Sequence, residues 1–159
     1  MHPDSSWRRA GLATALRRHR RINREVFPID QATLLKRVQH HWEHLGTDVD
    51  RAHEMYHDDA VLEFPQSGER FEGVANFREW RRQYPEGLVF RLRRITAGDD
   101  LVVVECSLSY EGGPWQQGVQ LLEFRGDKVA RERIYIMERW DAPAWRAPWR
   151  ATRDAEASE

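Results

Sequence analysis

From Ile29 onward, Leu34, Leu35, Val38, His41, Trp42 and Leu45 recur at three-to-four spacing, and Gly46 follows as a stop. The spacing predicts a helix over about 30–45. Thr47 or Asp48 offers an N-cap to a second short helix that carries Val49, Ala52, His53 and Tyr56 on one face, with His57 beside them. The run Ala60-Val61-Leu62-Glu63-Phe64-Pro65 then reads as a strand, Pro65 to Gly68 as a turn and Glu69 to Glu72 as a short strand. Gly73 opens a third helix through Tyr84, with Val74, Phe77, Trp80 and Tyr84 on one stripe before Pro85 and Gly87 break it.

Beyond that point the pattern changes to alternation. Strands are predicted near 88–97, 100–111, 115–125 and 128–138, separated by Gly98-Asp99-Asp100, Gly112-Gly113-Pro114 and Gly126-Asp127. Helices first and an antiparallel meander afterwards give an α+β fold, three N-terminal helices packed on one face of a curved sheet. The tail from Trp140 to Trp149 holds three of the seven tryptophans and two prolines. It is too proline-rich for a helix and too aromatic to leave in water, so it is expected to fold back over the domain or into a partner subunit. The organisation expected is an extension at 1–28, one domain at 29–139 and a tail at 140–159.

Alternation also sorts the strand faces. Arg131 and Arg133 point one way, and Arg91, Arg93, Glu105 and Glu123 share that outward face as weak cross-strand pairs on a wet surface. Inward, Leu62, Phe64, Val102, Val104, Cys106, Leu108, Leu122, Phe124, Ile134 and Ile136 form an apolar lining into which Gln120 and Glu132 project. A carboxyl facing such a lining rises in pKa unless a cation pairs with it, and a raised carboxyl in a cleft is the usual form of a general acid or base. The bland alternative sets Glu132 in water at the sheet mouth or against Arg94. Gln120 is a donor for a ligand oxygen or a satisfied structural amide.

Composition narrows the function classes. With 159 residues, 40% of them apolar and 32% charged, the chain suits one soluble domain, and no apolar run approaches the roughly 20 residues of a membrane span. Its single cysteine, Cys106, excludes an intramolecular disulfide. The net charge of -1 conceals seven arginines against two acids in residues 1–28. That leader reads as a solvated extension, with a transit peptide or nucleic-acid tail as alternatives. The acidic remainder argues against nucleic acid as the partner.

Most catalytic signatures are missing. His40 and His44 are the one helical pair at metal spacing, without the Glu of a His-Glu-x-x-His motif, so no metal is expected. There is no Gly-x-Ser-x-Gly and no phosphate-binding glycine loop, and no cofactor is expected.

The order helix, helix, Tyr56-His57-Asp58-Asp59-Ala60-Val61-Leu62-Glu63, short strand, Phe71-Glu72-Gly73, helix and four-strand meander resembles the nuclear-transport-factor-2-like superfamily, in particular its SnoaL-like branch. The match covers about 30–138. It implies a cone of strongly bent sheet closed by helices, with a small-molecule pocket inside and frequent dimerisation through the sheet. Measured against ketosteroid isomerases of this superfamily, the position of the catalytic aspartate falls on Phe64, the acidic oxyanion donor on Gln120 and the first-helix tyrosine on His40 or His41, with helical phase favouring His41.

Since this superfold hosts many activities, the residues must decide. The expectation is a cytoplasmic, homodimeric domain that binds a small hydrophobic molecule. Its chemistry would be a cofactor-free isomerisation, cyclisation or hydration, with Glu132 as acid or base and His41 and Gln120 as oxyanion or orienting partners. Trp42, Tyr56, Leu62, Phe64, Val104, Cys106, Leu108, Ile134 and Ile136 would line the pocket. The rival is a non-catalytic module whose cavity is filled by its own aromatics, with Trp42, Trp115 and the tail as plugs. Removing residues 1–28 is expected to leave the melting temperature nearly unchanged; a drop of many degrees would mean that the leader docks on the domain.

Overall fold

The structure, a computed structural model, describes residues 30–84 and 88–151. The basic leader, Ile29, the Pro85 and Gly87 helix breakers and the end of the tail lie outside the described residues. Helix α1 (Gln31–His44) buries Leu34, Val38 and His41, the stripe that the spacing predicts. After it comes the single turn α2 (Val49–Ala52), capped by the Asp48 carboxylate, which accepts from the Arg51 amide at 3.0 Å. Strands β1 (Tyr56–Phe64) and β2 (Glu69–Glu72) form a hairpin, α3 (Val74–Arg81) follows, and β3 (Val89–Ala97), β4 (Leu101–Ser109), β5 (Gln116–Arg125) and β6 (Lys128–Met137) make the meander.

All six strands belong to one sheet in the order β2-β1-β6-β5-β4-β3. The pairs are antiparallel except β1 with β6, which run parallel because α3 and the meander intervene between them. This register sets Leu62 beside Glu132, and Glu132 beside Leu122, so that the carboxylate stands mid-sheet on the inner face. The core is continuous from α1 to that face: Leu34, Val38, Phe77, Leu62, Val102, Val104 and Leu122 are fully buried. Burial of this order, roughly 1.5–3 kcal/mol for each large side chain, holds the helices on the sheet. The whole is an α+β cone of curved, unclosed sheet.

Several expectations need correction. Tyr56 and His57 belong to β1 and not to the second helix, which ends at Ala52 with His53 as its C-cap. A helical spacing of Val49, Ala52, His53 and Tyr56 is also compatible with one turn followed by a strand, and the backbone bond from Val129 to the Met55 carbonyl starts the sheet there. Helix α3 stops at Arg81, three residues short of Tyr84, where the amides of Arg82, Gln83 and Tyr84 turn to i−3 carbonyls. In β3 a bulge between Leu92 and Arg94 lets Arg91 and Arg94 both face out, opposite Ser107 and Glu105, while Phe90 and Ile95 face in. Arg94 is therefore on the wrong face to pair with Glu132.

On the outward face Arg133 bonds Glu123, the Arg93 Nε–H donates to Ser107 at 2.6 Å, and the Arg91 guanidinium lies 4.2 Å over the Trp115 ring. Trp115 thus serves the outer surface and plugs nothing. The tail forms a short 3₁₀ helix (Ala144–Trp149) that accommodates Pro148, and Trp140, Trp145 and Trp149 are 75%, 71% and 79% exposed. These tryptophans do not fold back over the described domain or fill its cleft, so of the two expected destinations only a partner subunit remains.

Candidate functional site

An arginine at a core position of α3 builds the site. Val74, Phe77 and Arg81 are the buried residues of this helix, at i, i+3 and i+7, so the guanidinium is carried onto the inner face of the sheet. There Arg81 NH2 donates to Glu132 Oε2 at 2.9 Å, and the two side chains are 4% and 0% exposed. The Tyr56 hydroxyl donates to the same oxygen at 2.7 Å. Arg81 NH1 donates to His53 Nε2 at 2.8 Å, and the opposite ring nitrogen of His53 lies 2.5 Å from the Val49 carbonyl. That pairing fixes His53 as the neutral tautomer with its proton on Nδ1.

Each ionisable group answers to this pair. Burial works against the charge of Arg81, and the Glu132 carboxylate together with Tyr56 and Tyr84 outweighs it, holding the guanidinium above its ordinary value. Burial, reinforced by Glu132, raises Tyr56 well above the usual phenol value, so its proton stays in place as a donor. Burial and then the Arg81 charge lower His53 and His41 to about 3, leaving both rings neutral. His41 donates from Nδ1 to the Ala52 carbonyl at 2.5 Å and packs edge-on against Tyr56. The alternative of Glu132 paired with Arg94 had the wrong cation; Arg81 is the one that meets it.

Beside this network lies a cleft lined by Leu45, Phe64, Arg81, Tyr84, Phe90, Cys106, Leu108, Tyr110, Gly118, Gln120, Ile134 and Ile136. Its full extent, open mouth included, is about 420 Å³, but the centre of a water molecule reaches only about 20 Å³ of it. The cleft as it stands has space for about one water, and a larger occupant needs its wall to move. Gly118 faces Cys106 across the sheet, and a Cβ there would stand 2.6 Å from the sulfur, so the missing side chain is what keeps this wall open. Burial pushes the Cys106 thiol up to about 11 and Tyr84 up to about 12, and neither is a nucleophile at neutral pH.

Of the residues expected to line a pocket, Phe64, Cys106, Leu108, Ile134, Ile136 and Gln120 do so. Trp42, Tyr56, Leu62 and Val104 instead belong to or pack against the core, and Glu132 and His41 stand behind the cleft wall. Arg81 touches both cleft and carboxylate, and the sequence reading passed over it, as it did Tyr84's place in the wall. The signal was present: an arginine in register with Val74 and Phe77 requires a buried anion. Four buried acceptors have no partner among the described residues: Glu132 Oε1, Gln120 Oε1 and His41 Nε2 around the network, and Gln116 Oε1 at the start of β5.

Fold and site together define a cone of the nuclear-transport-factor-2-like type with a polar network against an apolar cleft. The chain belongs to the SnoaL-like domain family, whose model matches residues 36–132. Among solved structures, it is similar to an NTF-2-like protein of unknown function from Burkholderia xenovorans LB400, at 34% identity and a TM-score of 0.70, covering 77% of this chain and 97% of that one. A provisionally named ketosteroid isomerase from Kribbella flavida DSM 17836 shares 22% identity and a TM-score of 0.73 over 80% and 94% of the two chains. An epoxide hydrolase of the LEH-like kind from M. tuberculosis shares 20% identity and a TM-score of 0.56 over 67% and 84%. No curated protein matches. No helix among the described residues is long and apolar enough to cross a membrane.

Two predictions follow from the network. Arg81→Met strands the buried Glu132 carboxylate and is expected to cost roughly 3–5 kcal/mol in urea unfolding, while Arg81→Met combined with Glu132→Leu restores much of it. A double variant no better than the single one would show that the pair is not coupled. The histidines set a pH dependence: folded His41 and His53 stay neutral to about pH 3, whereas the unfolded chain protonates them below about 6.5, so stability falls as pH drops through that window. Proton uptake on unfolding at pH 5 is expected to be about one lower in His41→Asn than in the parent chain.

Proposed function

We propose that the chain binds a small, largely apolar molecule carrying one carbonyl or hydroxyl oxygen, which enters the cleft oxygen-first toward Arg81 and Gln120. The observation that carries this reading is the uneven satisfaction of Glu132. One carboxylate oxygen holds Arg81 and Tyr56, and the other is buried with no partner. An orphaned acceptor in a buried network requires an explanation, and a proton delivered by a ligand is one. In this reading Arg81 and Gln120 hold the ligand oxygen and stabilise negative charge on it, and Glu132 Oε1, which stands behind the cleft wall, takes or returns a proton at the neighbouring atom once the entering ligand displaces that wall. His41 supports the wall through Tyr56 and does not touch the ligand.

The reaction class is a cofactor-free isomerisation, cyclisation or hydration. The isomerase and epoxide hydrolase names of the structural neighbours fall in that range. Phe64 occupies the position where the resemblance to ketosteroid isomerases would require an aspartate, so the proton acceptor would come from the sheet floor instead. A homodimer is the proposed assembly, formed by the outer sheet face. The narrow cleft favours a second reading, a binding or dimerisation module without turnover.

Native mass spectrometry of the full chain purified from expressing cells separates the two. A dimer carrying a defined extra mass is the expected result, and the ligand so identified becomes the substrate of a turnover assay. In that assay Glu132→Gln is expected to lose about a hundredfold or more in rate while still binding the ligand. A ligand-free species, or a variant that loses only stability, would favour the non-catalytic module.

A further inference from the structure

Outside the cleft, the last turn of α1 carries a second cluster. His40, Glu43 and His44 place one donor atom each within 4.8 Å of one another, on a surface where His40 and Glu43 are exposed and His44 half-exposed. His40 and His44 stand at i and i+4, one above the other on the same helix face, and their ring centroids are 4.2 Å apart. The ring nitrogen Nδ1 of His44 lies 2.8 Å from the His40 carbonyl, which fixes the proton on Nδ1 and leaves Nε2 as the nitrogen with a lone pair to offer. A backbone carbonyl holding one ring nitrogen while the other is free is the orientation that metal-binding histidines adopt.

We propose that His40, Glu43 and His44 form a surface site for a divalent transition metal, Zn²⁺ first among them, with solvent completing the coordination. Two imidazoles and one carboxylate are a sufficient donor set for tetrahedral zinc with an open position, where bonds of roughly 2.0–2.1 Å put neighbouring donors about 3.3 Å apart. The donors are within a rotamer adjustment of that spacing on long, solvent-facing side chains. Their place at the C-terminal end of a 14-residue helix adds the negative pole of the helix dipole, which favours a cation. Lys36, one turn earlier, shares a groove with His40, Arg37 and Glu54, and its charge is the main opposing influence; the Arg37 charge is tied to Asp127 at 2.6 Å. The site lies apart from the Glu132 network and does not depend on the proposal for the cleft. The expectation of no metal rested on a missing His-Glu-x-x-His; here the glutamate sits at i+3 of His40 instead of i+1.

The test is titration of the full chain with ZnCl₂ against a chromogenic chelator, alongside His40→Ala, His44→Gln, Glu43→Gln and, as a control, His57→Gln. One tight equivalent of zinc is expected for the parent and the control, with affinity reduced about tenfold or more in either α1 histidine variant and less in Glu43→Gln. Circular dichroism of each variant shows whether the fold is kept, and zinc is expected to raise the melting temperature of the parent but not of His40→Ala. Absence of a zinc equivalent at micromolar metal, or an equivalent that survives both histidine substitutions, would overturn the proposal.

Discussion

A single ion pair, Arg81 with Glu132, fixes the interior of this protein, because neither charge can be kept in an apolar core without the other. Burial opposes both ions, so the pair is tolerated only with its geometry held, and four neighbours hold it. Tyr56 shares the carboxylate oxygen, His53 accepts from the guanidinium, and Phe77 and Trp80 place their rings within 5.7 Å of it. Those neighbours come from β1, the α2 cap and α3, so one contact ties both ends of the helical layer to the sheet. The neutrality of His41 and His53 follows from the same burial and the same positive charge.

The pair also decides what the cleft presents. Without Arg81 its wall would be aliphatic and aromatic apart from Gln120 and two tyrosines. With it, a cation already oriented by Glu132 faces an apolar space, the arrangement in which electrostatic stabilisation of a ligand oxygen is strongest because water is scarce. Gly118 contributes by absence: a side chain there would meet Cys106. Tyr84, Phe90 and Tyr110 bring three aromatic rings to the cleft wall.

The elements were legible because periodicity reports which face is buried. The strand faces, Glu132 and Gln120 among the inward residues and the stripe of α1 all follow from spacing alone. What spacing does not report is which residues from different elements meet. Arg94 and Arg81 are equally basic in the sequence, and only the β3 bulge and the phase of α3 decide that Arg94 faces Glu105 while Arg81 reaches Glu132. Tyr56 fits a helix face or a strand start equally well, and the parallel register of β1 against β6 chooses the strand. The tail shows the same limit: three tryptophans call for burial, but the chain alone does not say against which surface, and on this chain they stay exposed, which leaves the partner-subunit alternative as the expectation.

The unevenness of Glu132 is the part of the structure that packing does not explain. A purely structural carboxylate in this position would gain from a donor on both oxygens, and the inner face offers one within the same layer, the amide of Gln120, two strand positions along. Gln120 lines the cleft instead, with its own carbonyl oxygen unpartnered. Two buried acceptors are left open on adjacent strands, Gln120 Oε1 at the cleft wall and Glu132 Oε1 behind it, beside a cation and an apolar space, and it is on these that the proposed ligand would act. That is the physical basis for reading the cone as a receptacle, and it depends on groups whose hydrogen-bonding capacity the fold leaves unused.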